Sequence, residues 1–314
     1  NFTRAVAAAA AADVTVVALG IDRTIEGEAH DRTNTTLPGS QLELLQQAMA
    51  AGASKVVVVL ANGGPLAVDW VKRNCPTVLE AFLGGQSAGT ALADVLLGDY
   101  SPSGALPFTM YPEAFVEQNA MTDFRMRPAD GTTGRTYRFY EGSVLWPFGF
   151  GLSYTTFGFA WAGGEAAVNA TTNSLLPTAT TPGVELSLRV TNTGGVGSAK
   201  VVLFFVARVD GGDAATRIDG DAPTRIGDGD DAPPRKTLVA IEKIFLEPNA
   251  STTISVTSGA GTELGYCAFC AVAADGKHRR IEAGIYEVSV GDGASHAMPP
   301  RRVVVIGDAV VLPL

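Results

Sequence analysis

The sequence predicts an α/β domain with a doubly wound, mostly parallel sheet, followed by an all-β sandwich. The first prediction rests on short apolar strands that alternate with helical runs up to about residue 110. The second rests on short alternating strands beyond Phe157, separated by turn residues. A chain of 314 residues is long enough for two such domains. We therefore place the α/β domain at residues 1–157 and the β-sandwich at residues 158–314.

Periodicity gives the elements of the first domain in order. The predicted strands are 14–19, 55–60, 77–83 and 106–110. The predicted helices are 2–11, 42–51, 66–73 and a run to residue 97 that Ser87 can cap. Glycines follow several of these strands, and they allow close approach of a ligand or another domain to the backbone.

The second domain is predicted from period-two alternation. Its strands are 184–191, 200–206, 239–246, 252–256, 281–290 and 302–306. About seven short strands in a region of this size are typical of an immunoglobulin or fibronectin sandwich. The segment 210–235 interrupts this pattern with an imperfect aspartate-rich duplication, which we interpret as a disordered acidic insertion.

Composition excludes several functions. The formal net charge is −9, whereas nucleic-acid binders show a basic footprint, so no nucleic-acid partner is expected. No apolar run approaches the roughly 20 residues that span a bilayer, so no membrane association is expected. The glycines of residues 83–89 (LGGQSAG) do not have the dinucleotide-binding spacing, and no cofactor is predicted.

No metal site is predicted either. Cys267 and Cys270 form a CAFC pair that lacks the further ligands a zinc site needs, which favours a local disulfide or simple packing. The aspartates of residues 210–235 lack the closing glutamate of a calcium-binding loop.

The stretch 20–41 (GIDRTIEGEAHDRTNTTLPGSQ) lies between the first predicted strand and the next helix, where α/β sheets place ligand sites. It is dense in ionisable groups: Asp22, Glu26, Glu28, His30 and Asp31. Crowded carboxylates raise one another's pKa, so that one of them could donate a proton near neutral pH. A solvated acidic loop is the alternative interpretation.

This stretch resembles the catalytic loop of family-three glycoside hydrolases, the β-glucosidases and β-xylosidases. Their pattern is Glu-x-Glu-x-x-Asp-Arg, Leu-Pro-Gly-x-Gln and Leu-Leu, and its anchors here are Glu26, Glu28, Asp31, Arg32, Leu37, Pro38, Gly39, Gln41, Leu44 and Leu45. The resemblance implies that Glu28, three residues before Asp-Arg, is the general acid/base, with Glu26 as the alternative. We interpret Asp31 and Arg32 as loop-supporting, with the aspartate near the helix amino end and the arginine on a carboxylate.

Two later regions resemble parts of the same family. Residues 121–128 (MTDFRMRP), with GRTYRFY and PFGFGLSYT, resemble the β-xylosidase and α-L-arabinofuranosidase subgroup. The aromatic and arginine side chains there suit a sugar ring or a packed interdomain seam, and we favour the seam. The end of the chain resembles the family's fibronectin type III-like domain.

The resemblance implies that the nucleophile lies on a preceding barrel domain, which this sequence does not contain. We therefore expect the acid/base half of a retaining, exo-acting glycosidase, most similar to β-xylosidases, that acts on cell-wall or matrix polysaccharides with a barrel domain on another chain or fragment. A non-catalytic carbohydrate-associated or scaffold module is the alternative.

Glycosylation sequons favour the secretory pathway. They begin at Asn1, Asn34, Asn169 and Asn249, so we expect a glycoprotein that is secreted or held in the cell wall.

Overall fold

The computed structural model describes residues 2–53, 55–163, 167–176, 184–209, 234–258, 269–272, 278–291 and 298–313. Contacts divide the chain into two units. Unit 1 comprises Asn1–Asp99, Thr109–Phe124 and Gly142–Trp146. Unit 2 comprises Tyr100–Phe108, Arg125–Glu141 and Pro147–Leu314. The domain boundary between residues 157 and 158 stays a prediction.

Unit 1 is built on a parallel sheet whose order is β1-β2-β3. Its strands are β1 (Thr15–Gly20), β2 (Val56–Ala61) and β3 (Thr77–Glu80). Its helices are α1 (Thr3–Ala11), α2 (Gln41–Ala50), α3 (Asp69–Asn74), α4 (Ala88–Leu97) and α5 (Phe115–Gln118). Val58 and Leu60 of β2 are completely buried, as expected for the central strand of a parallel sheet. The strand–helix alternation predicted from the sequence is confirmed up to α4.

One local prediction is wrong, and another is confirmed only in part. Residues 106–110 do not form a strand of the sheet, because Pro107 has no amide to donate to a ladder. Leu106 instead donates to the Phe150 carbonyl oxygen at 2.8 Å. Ser87 stands at the N-cap of α4, but its side chain makes no capping hydrogen bond.

Among the described residues, unit 2 contains the short α-helix α6 (Thr136–Phe139), a 3-10 helix at Asn173–Leu175 and the remaining strands. A five-stranded sheet has the order β5-β13-β12-β7-β8, and two three-stranded sheets have the orders β4-β6-β9 and β10-β11-β14. The strands are β4 (Phe157–Trp161), β5 (Val168–Thr171), β6 (Val184–Asn192), β7 (Ser198–Arg208), β8 (Thr237–Leu246), β9 (Ser251–Ser258), β10 (Cys270–Val272), β11 (His278–Ile281), β12 (Gly284–Val290), β13 (Arg301–Ile306) and β14 (Val310–Pro313).

The core of unit 2 lies between the sheets. Leu188 and Val190 of β6 are completely buried in the same cluster as Phe204 of β7 and Val303 of β13. The alternation of β6 is regular, since every second residue points into this core. The segment predicted as one strand at 281–290 is divided between β11 and β12, which belong to different sheets.

The aromatic segment after residue 125 packs within unit 2. The rings of Tyr137 and Phe148 are stacked with centroids 4.3 Å apart, and both meet the edge of Phe205 on β7. The Tyr137 hydroxyl also accepts a hydrogen bond from the Leu238 amide at 3.2 Å. These rings pack against one another within unit 2, and the interdomain seam that we favoured from the sequence stays a prediction.

Several sequence features lie outside the described residues. They include Asn1, Cys267 and most of the acidic insertion, of which only residues 234 and 235 are described. Cys270 is disulfide-bonded, whereas Cys75 is a buried free thiol. In the part of the chain that the structure describes, no helix is both long enough and apolar enough to cross a bilayer.

Candidate active site

The loop between β1 and α2 is closed at its base by one glutamine. The Gly20 amide donates to Oε1 of Gln41 at 2.7 Å, and Nε2 of Gln41 donates to the Gly20 carbonyl oxygen at 2.8 Å. Gly20 has no room for a side chain, because a Cβ atom there would lie 1.9 Å from the Ala61 carbonyl oxygen. Gln41 therefore joins the last residue of β1 to the first residue of α2, and it fixes both ends of the loop.

Arg32 holds the loop against the segment that follows β2. Its Nε donates to Oε2 of Glu26, and its Nη2 donates to the Pro65 carbonyl oxygen at 3.0 Å. The Arg32 side chain is 9% exposed and that of Glu26 is 34% exposed, so solvent screens this ion pair less than it would screen a surface pair. The predicted role of Arg32, on a carboxylate in support of the loop, agrees with these contacts.

Gly64 forms the other side of this contact. A Cβ atom at Gly64 would lie 2.5 Å from Oε1 of Glu26 and 3.3 Å from Nη2 of Arg32. The Gly64 carbonyl oxygen also accepts a hydrogen bond from Nδ2 of Asn62 at 2.8 Å. The loop after β2 therefore approaches the Glu26–Arg32 pair through backbone atoms, which is possible because residue 64 is glycine.

Glu28 lies at the tip of a tight turn. The amides of Gly27 and His30 donate to each other's carbonyl oxygens at 3.0 and 2.9 Å, so that Glu28 and Ala29 protrude between them. Ala29 has a φ of 63°, a left-handed conformation that is uncommon for residues other than glycine. The Glu28 side chain is exposed and has no hydrogen-bond or ion-pair partner among the described residues.

The two glutamates therefore differ in their environment. The carboxylate of Glu26 is engaged by Arg32, whereas that of Glu28 is accessible to a ligand. Asp31 is exposed, and α2 begins only at Gln41, beyond Pro38 and Gly39. The prediction that Asp31 lies near the amino end of a helix is wrong, because α2 begins ten residues later, after a turn in which Gly39 has a φ of 60°.

Crowding does not raise the pKa of Asp22. The hydroxyl and amide of Thr24 donate to its carboxylate at 2.6 and 2.8 Å and lower its pKa. For Asp22 the expectation of a raised pKa is wrong, since hydrogen bonds to the charged form outweigh any repulsion.

A carboxyl group that the sequence analysis did not single out has a raised pKa. Glu80, the last residue of β3, is half-buried, and burial raises its pKa from 4.5 to about 7. Smaller opposing effects come from hydrogen bonds with the Phe82 amide and the Asn62 side chain. The position of Glu80 at a strand end was visible in the sequence, but its burial was not.

Among the described residues, no cluster of three or more histidine, cysteine or carboxylate side chains could hold a metal ion.

The comparisons with known proteins agree with the motif and the fold. Residues 1–154 match the glycosyl hydrolase family 3 C-terminal domain. This chain belongs to glycosyl hydrolase family 3. It is 34% identical over 313 residues to Beta-D-xylosidase 1 of Arabidopsis thaliana, which covers 93% of this chain and 38% of that protein. It is 42% identical over 153 residues to Beta-xylosidase/alpha-L-arabinofuranosidase 2 of Medicago sativa subsp. varia, which covers 48% of this chain and 20% of that protein.

A solved family 3 structure has the same fold. It is an exo-β-xylosidase in complex with a xylobiose aziridine activity-based probe, 28% identical, with a TM-score of 0.80. The match covers 100% of this chain and 38% of that one. The chain therefore spans well under half the length of the family 3 proteins that it resembles, and it corresponds to their C-terminal part.

Three of the sequons lie in described residues. Asn34, Asn169 and Asn249 are all exposed. Asn249 has a φ of 64°, at the turn between β8 and β9. Exposure at these positions is compatible with glycan attachment.

Proposed function

We propose that this chain is the acid/base-bearing part of a retaining, exo-acting β-xylosidase. The observation that carries the proposal is the contrast between the two glutamates: Arg32 engages Glu26, while Glu28 protrudes from a hydrogen-bonded turn with its carboxyl group accessible. A general acid must reach the leaving-group oxygen of the substrate, and only the second environment leaves the carboxyl group available for that contact. Glu28 is therefore our acid/base, and Glu26 is a positioning residue.

The reaction requires a second carboxylate from outside this chain. Retaining glycosidases place a nucleophile and an acid/base about 5–5.5 Å apart on opposite sides of the scissile bond. We infer that a barrel domain supplies the nucleophile, either in the same polypeptide or as a separate chain. In the first step Glu28 protonates the departing oxygen, and in the second step it takes a proton from the attacking water.

The substrate and location are part of the same proposal. The similarity to proteins named as β-xylosidases supports a xylose-containing polysaccharide of the cell wall or matrix as substrate. Exposed sequons support a secreted glycoprotein. In unit 2 the five-stranded sheet and the β4-β6-β9 sheet share one core. This sandwich arrangement supports a fibronectin type III-like domain at residues 158–314.

The test uses the chain with and without the barrel. Alone, it should not hydrolyse p-nitrophenyl xyloside, because general acid catalysis contributes only about 10²–10⁴-fold without a nucleophile. With the barrel, Glu28→Gln should lower kcat by roughly that factor, and added azide should restore turnover of an activated substrate. Glu43→Gln, on the exposed face of α2, is the matched control and should leave kcat unchanged.

Two results would contradict the proposal. Azide rescue of Glu26→Gln together with an active Glu28→Gln would reverse the two assignments. Inhibitor-sensitive hydrolysis by the isolated chain, with mass spectrometry showing no second polypeptide, would place the nucleophile within these 314 residues.

A further inference from the structure

Two buried oxygen atoms belong to side chains at the end of the sheet, where Glu80 pairs in register with Leu60, two residues before Asn62. Oε2 of Glu80 and Oδ1 of Asn62 are both buried, and neither has a hydrogen-bond partner. The two side chains interact, and Asn62 is completely buried. Two acceptor atoms without a donor are costly inside a protein, whereas a proton on Glu80 would supply the missing donor.

The residues around this pair connect it to the candidate active site. Nδ2 of Asn62 holds the Gly64 carbonyl oxygen at 2.8 Å, and Nη2 of Arg32 holds the adjacent Pro65 carbonyl oxygen at 3.0 Å. Gly64 also lies against the carboxylate of Glu26. A continuous series of contacts therefore leads from Glu80 through the loop after β2 to the Glu26–Arg32 pair.

Glu80 also supports the turn after β3. Its Oε1 accepts a hydrogen bond from the Phe82 amide at 3.4 Å. Phe82 has a φ of 51°, a left-handed conformation that costs a bulky residue energy and persists only where the surroundings enforce it. A Cβ atom at Gly63 would lie 3.3 Å from Cδ1 of Leu83, so the loops after β2 and β3 are neighbours.

We propose that protonated Glu80 and Asn62 form a hydrogen-bonded pair that positions the loop after β2 and, through it, the Glu26–Arg32 pair beside the acid/base. Loss of the Glu80 proton to water leaves a carboxylate to which Asn62 Nδ2 can donate, and this draws Nδ2 away from the Gly64 carbonyl oxygen. Glu80 is thus a pH-sensitive positioning residue. Its meaning for catalysis rests on the function proposed above, but the coupling itself does not.

Other ionisable groups could imitate this behaviour and must be separated from it. Residues 61–65 and 81–85 contain no ionisable side chain. The loop that packs against them contributes Glu26 and Arg32, and it also carries the exposed His30. Because histidine is the side chain that most often changes charge near neutral pH, a His30→Gln background is needed to isolate Glu80.

The experiment follows Arg32 itself by NMR as pH is varied from 5 to 9. In the His30→Gln chain, the Nε–H resonance of Arg32 should shift with a midpoint near the Glu80 pKa of about 7. Adding Glu80→Gln should abolish that midpoint, since glutamine keeps a donor at every pH, whereas adding Glu43→Gln should preserve it. A titration near pH 7 that survives Glu80→Gln, or an Arg32 resonance that does not titrate there at all, would overturn the proposal.

A second measurement does not depend on a substituted Glu80. With the glutamate side-chain carboxyl carbons labelled in the His30→Gln chain, one carboxyl group should titrate with the same midpoint as Arg32. Two clearly different midpoints would overturn the coupling. Neither measurement uses turnover, so an absence of glycosidase activity would contradict only the proposed function.

Discussion

The sharpest consequence of the loop geometry concerns Gln41. Its side-chain amide makes two hydrogen bonds with Gly20, one as acceptor and one as donor, at 2.7 and 2.8 Å. Gln41→Ala removes both and leaves the amide and carbonyl of Gly20 without their side-chain partner. The replacement does not weaken the helix by propensity, because alanine is the best helix former. Any loss therefore reports the closure of the loop.

The size of the effect follows from the two bonds. Each contributes a net of about 0.5–1.5 kcal/mol, so the loop base should lose about 1–3 kcal/mol of local stability. The opening equilibrium of the Gly20 amide should then rise roughly 5- to 150-fold, at about 1.4 kcal/mol per tenfold change. Amides at the centre of β2, such as that of Val58, lie further from Gln41 and should change less.

Native-state hydrogen exchange at the Gly20 amide measures this directly. The matched control is Gln47→Ala on the same helix, where the side-chain amide donates to exposed Glu43 at 3.0 Å and closes no loop. The control should leave Gly20 protection within about twofold of the unsubstituted chain, because surface substitutions change stability by about 0.5 kcal/mol or less. Equal exchange at Gly20 in the two variants would refute the closing role of Gln41.

Two further predictions concern the same site. Arg32→Ala should lower kcat of the enzyme reconstituted with its barrel by more than tenfold, since it releases Glu26 and Pro65 together. Arg23→Ala, at an exposed position of the same loop, is the control and should leave kcat unchanged. Full activity of Arg32→Ala would rule out its supporting role. The free energy of unfolding should fall as pH rises from 4.5 to about 7. Folded Glu80 keeps its proton up to about pH 7, whereas the unfolded chain releases it near 4.5. This contribution is at most about 3 kcal/mol and smaller after solvent screening, and it should be absent in denaturant titrations of Glu80→Gln.

Much of the first unit could be predicted from sequence because its signals are local. The apolar runs of β1 and β2 and the spacing of Leu42, Leu45 and Met49 in α2 each specify an element without reference to the rest of the chain. The prediction of a strand at residues 106–110 failed because an apolar run resembles a strand even where Pro107 prevents pairing. Short strands such as β5 and β14 escaped prediction because four residues carry too little alternation.

The site was predicted less completely, because its contacts join residues that are far apart in sequence. The loop and both glutamates could be recognised from a motif, but the contact between Gln41 and Gly20 spans 21 positions and that between Arg32 and Pro65 spans 33. Neither leaves a periodic signal. Burial of Glu80 likewise depends on how the loops after β2 and β3 pack, which hydrophobic alternation does not encode.

The pairing of Glu26 with Arg32 also explains why the motif contains two glutamates so close together. A single carboxylate could not both hold the loop and transfer a proton, since an arginine that binds a carboxylate occupies the lone pairs that the leaving group would need to reach. A general acid instead needs an available proton and room for a leaving group. In this loop Glu26 holds the chain in place by binding Arg32. The turn between Gly27 and His30 leaves Glu28 outside that ion pair. Under the proposed function, separation of the two tasks onto residues 26 and 28 lets the loop be fixed in position while the carboxyl group of Glu28 stays available to the substrate.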